Sequence, residues 1–262
     1  MLSDLLQDKV ALVTGSTSGI GLATAETLAR SGARLLVVNG RSAANGAAAL
    51  ERLGAAVPSA RFEFVAADMY DLGQIEALFA KVGELGGGLD VFVHSGYGGG
   101  AGSLPDLFCN MTPRSSAETV AGIMLSLIYC CHFAVPMLRA RGGGAIVGVA
   151  SDAAKVPTPG EAVHGGALAG SVMFLRTLAR EVGRDGIRIN TVTPSLVKDT
   201  RNYELVMGSE YSRQLFQKIE KRAQLGLPGP QDLANLIAFL VSPLASHITG
   251  QVVSCNGGIS GA

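Results

Sequence analysis

Val10-Ala11-Leu12-Val13-Thr14-Gly15-Ser16-Thr17-Ser18-Gly19-Ile20-Gly21 is the stretch that decides the fold. Its four leading apolar residues suit a strand buried on both faces, as in a parallel sheet. The glycines that follow let the backbone turn tightly and approach a pyrophosphate closely. Residues 19–31 then open a helical pattern, whose N-terminus offers unpaired N–H groups and a partial positive charge to phosphate. Such a turn is weak evidence alone. Set between the first strand and first helix of an α/β chain, it points to a dinucleotide held by Gly15, Ser16, Thr17, Ser18, Gly19, Ile20 and Gly21.

Working outward, strand-like runs at 9–14, 34–39, 61–66, 89–94, 145–150, 187–193 and 252–254 alternate with helical patterns near 19–31, 43–54, 71–85, 116–140, 161–183 and 230–242. This alternation implies right-handed crossovers. The expected fold is one doubly wound α/β domain over residues 1–262, with a mostly parallel seven-stranded sheet and helices on both faces. Residues 194–229 break the alternation and are expected to form a substrate loop or lid, with Tyr203 and Tyr211 as candidate pocket residues.

Composition narrows the function classes. Lys plus Arg and Asp plus Glu are 21 each, so no basic excess is available for nucleic acid or an anionic membrane. With 48% hydrophobic residues the chain is not disordered. Cys109, Cys130, Cys131 and Cys255 form no Cys-x-x-Cys pair, which disfavours a disulfide scaffold or a metal site. Met1-Leu2-Ser3-Asp4 shows no signal-peptide pattern, and a cytoplasmic location is expected. The uncharged stretch 119–138 is long enough to span a bilayer, yet His132 and Pro136 interrupt it. It is expected to be a buried helix at an interface.

At the tip of the second strand, Val37-Val38-Asn39-Gly40-Arg41-Ser42 lacks the acid that an NAD site uses for the ribose 2′-hydroxyl. Arg41 can instead pair with a 2′-phosphate, so NADP is favoured over NAD.

Thr14–Gly21 resembles the Thr-Gly-x-x-x-Gly-x-Gly turn of the short-chain dehydrogenase/reductase family. Arg188-Ile189-Asn190-Thr191-Val192-Thr193-Pro194 resembles the family's strand before its Pro-Gly turn, with Ser195 in place of the glycine. Ile248-Thr249-Gly250-Gln251 and Asn256-Gly257-Gly258 resemble its C-terminal signature. The resemblance implies a Rossmann-type sheet, a nicotinamide cofactor, and a dimer or tetramer. It also implies that Asp68, Met69, Ser95, Gly96, Pro194 and Val197 join the cofactor residues.

The family's chemistry normally rests on Ser, Tyr-x-x-x-Lys and an Asn. Ser151 is in place after the fifth strand, but thirteen residues on stands His164, and Leu168 occupies the Lys position. No Lys lies between Lys155 and Lys198, and no Asn falls at 123–126. The usual Asn-Asn-Ala-Gly appears as His94-Ser95-Gly96-Tyr97. An imidazole titrates near pH 6.5, so His164 is either a proton donor or a non-catalytic remnant. Tyr97 is the second candidate donor. His94 is expected to be buried and structural, and Lys155 to be solvated.

Three functions follow as expectations: an atypical NADP-dependent oxidoreductase acting on a small carbonyl or alcohol; a silent cofactor-binding subunit paired with an active relative; or non-redox chemistry on the same fold. Nine glycines at positions 83–102 flank the altered region, which suggests reshaped backbone at 96–102.

Overall fold

The computed structural model describes residues 4–97, 105–208 and 210–261, without the side chains of residues 211 and 215. Residues 98–102 of the glycine cluster, and the side chain of Tyr211, therefore lie outside the described residues. Seven parallel strands form one sheet: β1 (Val10–Thr14), β2 (Leu35–Gly40), β3 (Arg61–Ala66), β4 (Val91–His94), β5 (Gly144–Val149), β6 (Ile187–Thr193) and β7 (Val252–Ser254). Their order is β3-β2-β1-β4-β5-β6-β7. The strand order reverses between β1 and β4, where open α/β sheets leave a crevice at their carboxyl ends.

The two-residue period of a strand divides the core. Ala11 and Val13 face one layer with Leu28, Leu53 and Ile237, whereas Val10 and Leu12 face the other with Leu78, Leu138 and Leu175. The first layer is made by α1 (Gly19–Arg30), α2 (Ala43–Ala56) and a late helix, Pro230–Val241. The opposite layer contains α3 (Leu72–Gly86), then α4 (Pro113–Val120) and α5 (Ser126–Ala140) joined by a π-helical turn at Ala121–Leu125, and α6 (Ala162–Val182). As sheet edges, β3 and β7 are only partly buried.

Pro113–Ala140 is the one helix among the described residues long and apolar enough to cross a membrane. Leu127, Cys130, Ala134 and Leu138 pack into the second core layer, while Val120 and Leu125 are exposed. The expected burial thus holds for one face of this helix.

Residues 194–229 are largely helical rather than a loop. They fold as α7 (Arg201–Gly208) and α8 (Glu210–Glu220), with Pro230–Val241 following as α9. Leu196, Val206 and Phe216 give this pair a small core of its own, with Tyr203 and Leu227 packed on it.

Candidate active site

A cleft of about 840 Å³ runs along the carboxyl ends of the central strands. One end is the turn after β1. Gly15 has φ +62°, and a Cβ there would lie 2.6 Å from Gly96 Cα, so the turn packs backbone against backbone on the end of β4. Asn39 fixes the same turn from the other side. Its carbonyl accepts from Ser16 N–H at 2.9 Å, and its buried side-chain amide donates to Val65 and Ala67 carbonyls. Ser18 precedes α1 without a side-chain cap, leaving the first helical N–H groups for a ligand.

Gly15, Ser18, Gly19, Ile20, Gly21, Ser95, Pro194 and Val197 all line the cleft. These residues suit the phosphates and nicotinamide end of a dinucleotide: small side chains, open helical N–H groups and a continuous path toward β5. The remaining sequence candidates stand apart from the cleft lining. Ser16 is fully buried and donates to Val13 O, a role internal to the turn. Thr17 closes over Gly40, where a Cβ would meet its Cγ2 at 2.7 Å. Gly96 abuts Gly15 from below. Arg41 is exposed just beyond β2. Asp68 accepts from Tyr70 N–H, and Met69 is buried against Cys130.

At the other end, Ser151 follows β5, and its Oγ accepts from Ala153 N–H at 3.2 Å. That bond leaves the hydroxyl hydrogen available to a reacting oxygen. His164, in the first turn of α6, lines the same cleft, and burial lowers its pKa below 6.5. Leu168, one turn further along, is fully buried beside Ile123 and Ala167 and does not line the cleft.

Tyr97 also lines the cleft, but its hydroxyl donates to Val149 O at 2.7 Å, and burial raises its pKa well above 10. Its proton is already engaged, so the ring shapes the wall.

His94 is 1% exposed. Ser126 spends its hydroxyl proton on Gly122 O and lies 3.5 Å from Nε2, while Thr14 Oγ1 lies 3.3 Å from Nδ1. A neutral ring that donates at Nε2 and accepts at Nδ1 satisfies this arrangement. Burial pushes its pKa down to about 4. The expected structural role fits this geometry.

Lys155 corrects the expectation of a solvated side chain. It is mostly buried, bonded to Ser254 Oγ and 3.7 Å from the Asp152 carboxylate. Asp152 also accepts from Ser254, Asn256 and Ser260. This polar knot braces the Ser151 turn and escapes sequence reasoning, because its partners are about a hundred residues away. Glu161, a further cleft residue missed in the sequence, carries no motif signal. Among the described residues no group of His, Cys, Asp and Glu is arranged to hold a metal.

Comparison with known proteins matches residues 15–260 to the family model described as enoyl-(acyl carrier protein) reductase. Human dehydrogenase/reductase SDR family member 4 is 32% identical, over 97% of this chain and 88% of its own. L-Sorbose reductase from Gluconobacter frateurii, solved with NADPH and L-sorbose, is 30% identical with a TM-score of 0.87, covering 99% of both chains. A 7α-hydroxysteroid dehydrogenase solved with NADH and 7-oxo glycochenodeoxycholic acid is 26% identical with a TM-score of 0.87, over 97% of this chain and 96% of its own. With its sheet order, its glycine turn and these full-length likenesses, the chain belongs to the short-chain dehydrogenase/reductase family of nicotinamide-dependent oxidoreductases.

Proposed function

We propose that this protein interconverts a small carbonyl compound and its alcohol, using NADP(H) in preference to NAD(H), with an active site that works without the family's Tyr–Lys pair. The observation that carries this reading is the single cleft joining the β1–α1 turn to Ser151 and His164. Gly15, Gly19 and Gly21 with the open N-terminus of α1 would hold the pyrophosphate, and Arg41 a 2′-phosphate. Ser95, Pro194 and Val197 would flank the nicotinamide half. When bound, the cofactor supplies or accepts hydride. Ser151 would hold the reacting oxygen through its free O–H, and neutral His164 of the same cleft would orient that oxygen. Leu196, together with Val206 of α7 and Phe216 of α8, would exclude water from the substrate end.

Proximity and orientation supply much of an enzyme's rate, so loss of the Tyr–Lys pair weakens the chemistry without abolishing it. The protein is proposed to be cytoplasmic, without a membrane or nucleic-acid role, and to form homo-oligomers through the exposed apolar face around Val120, Leu125 and Met173.

Calorimetry with NADPH and NADH, followed by a carbonyl and alcohol panel, tests this. Binding of NADPH with turnover that falls roughly 100-fold in Ser151→Ala is expected; absence of binding to either nucleotide overturns it. A second reading, a silent binding subunit, is favoured by Leu168 filling the Lys position with a buried apolar side chain. Tight NADPH binding without turnover on any substrate would select that reading.

A further inference from the structure

Glu161 lines the cleft together with Ser151 and His164. It immediately precedes α6 and lies three residues before His164, so one short stretch of backbone brings both groups into the cleft. The loop that carries it is pinned to a second stretch of the cleft lining. Gly160, at φ +85°, accepts through its carbonyl from Asp106 N–H at 2.9 Å, and Gly160 and Asp106 line the cleft too. The Glu161 side chain does not cap α6, so no helical N–H group stabilises its carboxylate.

Resting on the carbonyl–alcohol reading above, we propose that Glu161 is the proton donor to the reacting oxygen during reduction, and the acceptor of that proton during oxidation. As the carbonyl carbon gains hydride, the C=O π pair moves onto oxygen. The Glu161 carboxyl O–H bond breaks, its proton forms the new alcohol O–H, and the resulting carboxylate is reprotonated by water from the open side of the cleft. Ser151 donates to the same oxygen throughout, and the neutral imidazole of His164 keeps the oxygen between them.

The electrostatics agree with this division. Burial pushes the Glu161 carboxyl up to about 7, against a hydrogen bond from Thr158, while burial moves His164 below 6.5. Near pH 7 the carboxyl therefore keeps its proton about half of the time, where an exposed one would keep almost none, while the imidazole is protonated less readily than a free one. The other titratable or charged groups around the cleft are Tyr97, Asp106, Arg201 and Tyr203. Behind α6, Lys155 and Asp152 are engaged with each other and with Ser254.

The test has one arm without cofactor and one with it. In protein labelled with ¹³C at the glutamate carboxyls, the resonance absent from Glu161→Gln should titrate near pH 7, not near the ordinary 4.5. Because the folded pKa is raised, the contribution to stability is present below pH 4.5 and is lost as pH rises through about 7. Glu161→Gln should therefore gain thermal stability over the native protein across that interval. In NADPH-dependent reduction, Glu161→Gln should lose about 10²–10⁴-fold in kcat and the pH limb near 7, with NADPH affinity and KM changed less than about threefold. An ordinary titration, or a variant that keeps kcat and the limb, overturns the proposal while leaving the oxidoreductase reading intact. A resonance titrating near 7 in a protein that binds NADPH but reduces no carbonyl overturns both.

Discussion

Two turns at the carboxyl ends of parallel strands face each other across the cleft, and they have been treated differently. The turn after β1 works by the absence of side chains: Gly15 and Gly96 touch backbone to backbone, and Ser16 and Asn39 spend their polar atoms within the protein. The turn after β5 and the start of α6 work by side chains displayed from a braced frame, in which Asp152 anchors the backbone beside Ser151 while Glu161 and His164 face the cleft. Close-packed backbone leaves almost no substitution open. A braced display allows one chemical group to replace another. On the reading proposed above, the cofactor half keeps its motif while the chemistry half departs from it.

The sharpest way to break this contrast is Gly15→Ala. The new Cβ would press on Gly96 at φ +62°, and NADPH affinity should fall by roughly 100-fold or more, measured by calorimetry. A variant that binds normally would show that the turn tolerates side chains after all. An effect of comparable size is set by His94, whose folded pKa near 4 lies below the unfolded value near 6.5. The unfolded chain then takes up the extra proton as pH falls through 6.5, so stability should drop by about 3 kcal/mol between pH 6.5 and 4. Urea denaturation of the native protein and His94→Asn at several pH values reads this as the difference between two curves; parallel curves reject it.

Leu168→Lys asks whether the position can take the lysine that the proposed reading finds absent. The side chain is buried among Ile123, Ala167 and Tyr97, and an amine there should cost at least about 2 kcal/mol in urea denaturation. An unchanged midpoint with tighter NADPH binding would mean that the site still has room for the usual pair. The mildest change is Arg41→Ala, expected to weaken NADPH about tenfold and leave NADH unaffected. Equal losses for both nucleotides would remove the argument for 2′-phosphate recognition.

The β1–turn–α1 unit was legible because each signal is local: a four-residue apolar run, a glycine turn and a helical period in direct succession. The α7–α8 pair was not legible as helices. Its apolar residues are few, and Leu196, Val206 and Phe216 make sense only once they meet one another. Lys155 and Asp152 look like ordinary surface charges in sequence, and only burial beside Ser254 and Asn256 gives them a role. Glu161 belongs to the same class, since desolvation is a tertiary property that no spacing rule reports. Ser151 and His164 were singled out by a known spacing, and the fold adds that both line one cleft and that burial lowers the His164 pKa.

The knot around Asp152 also bears on the order of events expected during folding. Asn256 and Ser260 reach back 104 and 108 residues to the carboxylate beside Ser151. Contacts so distant in sequence carry a larger loop-closure cost and are expected to close after the local strand–helix units. On the ribosome, the glycine turn can take shape while most of the chain is still unsynthesised, but the frame around Ser151 is completed only after the closing residues have emerged. A nascent chain stalled before Asn256 would therefore already hold the residues of the β1–α1 turn and still lack the groups that brace the Ser151 turn.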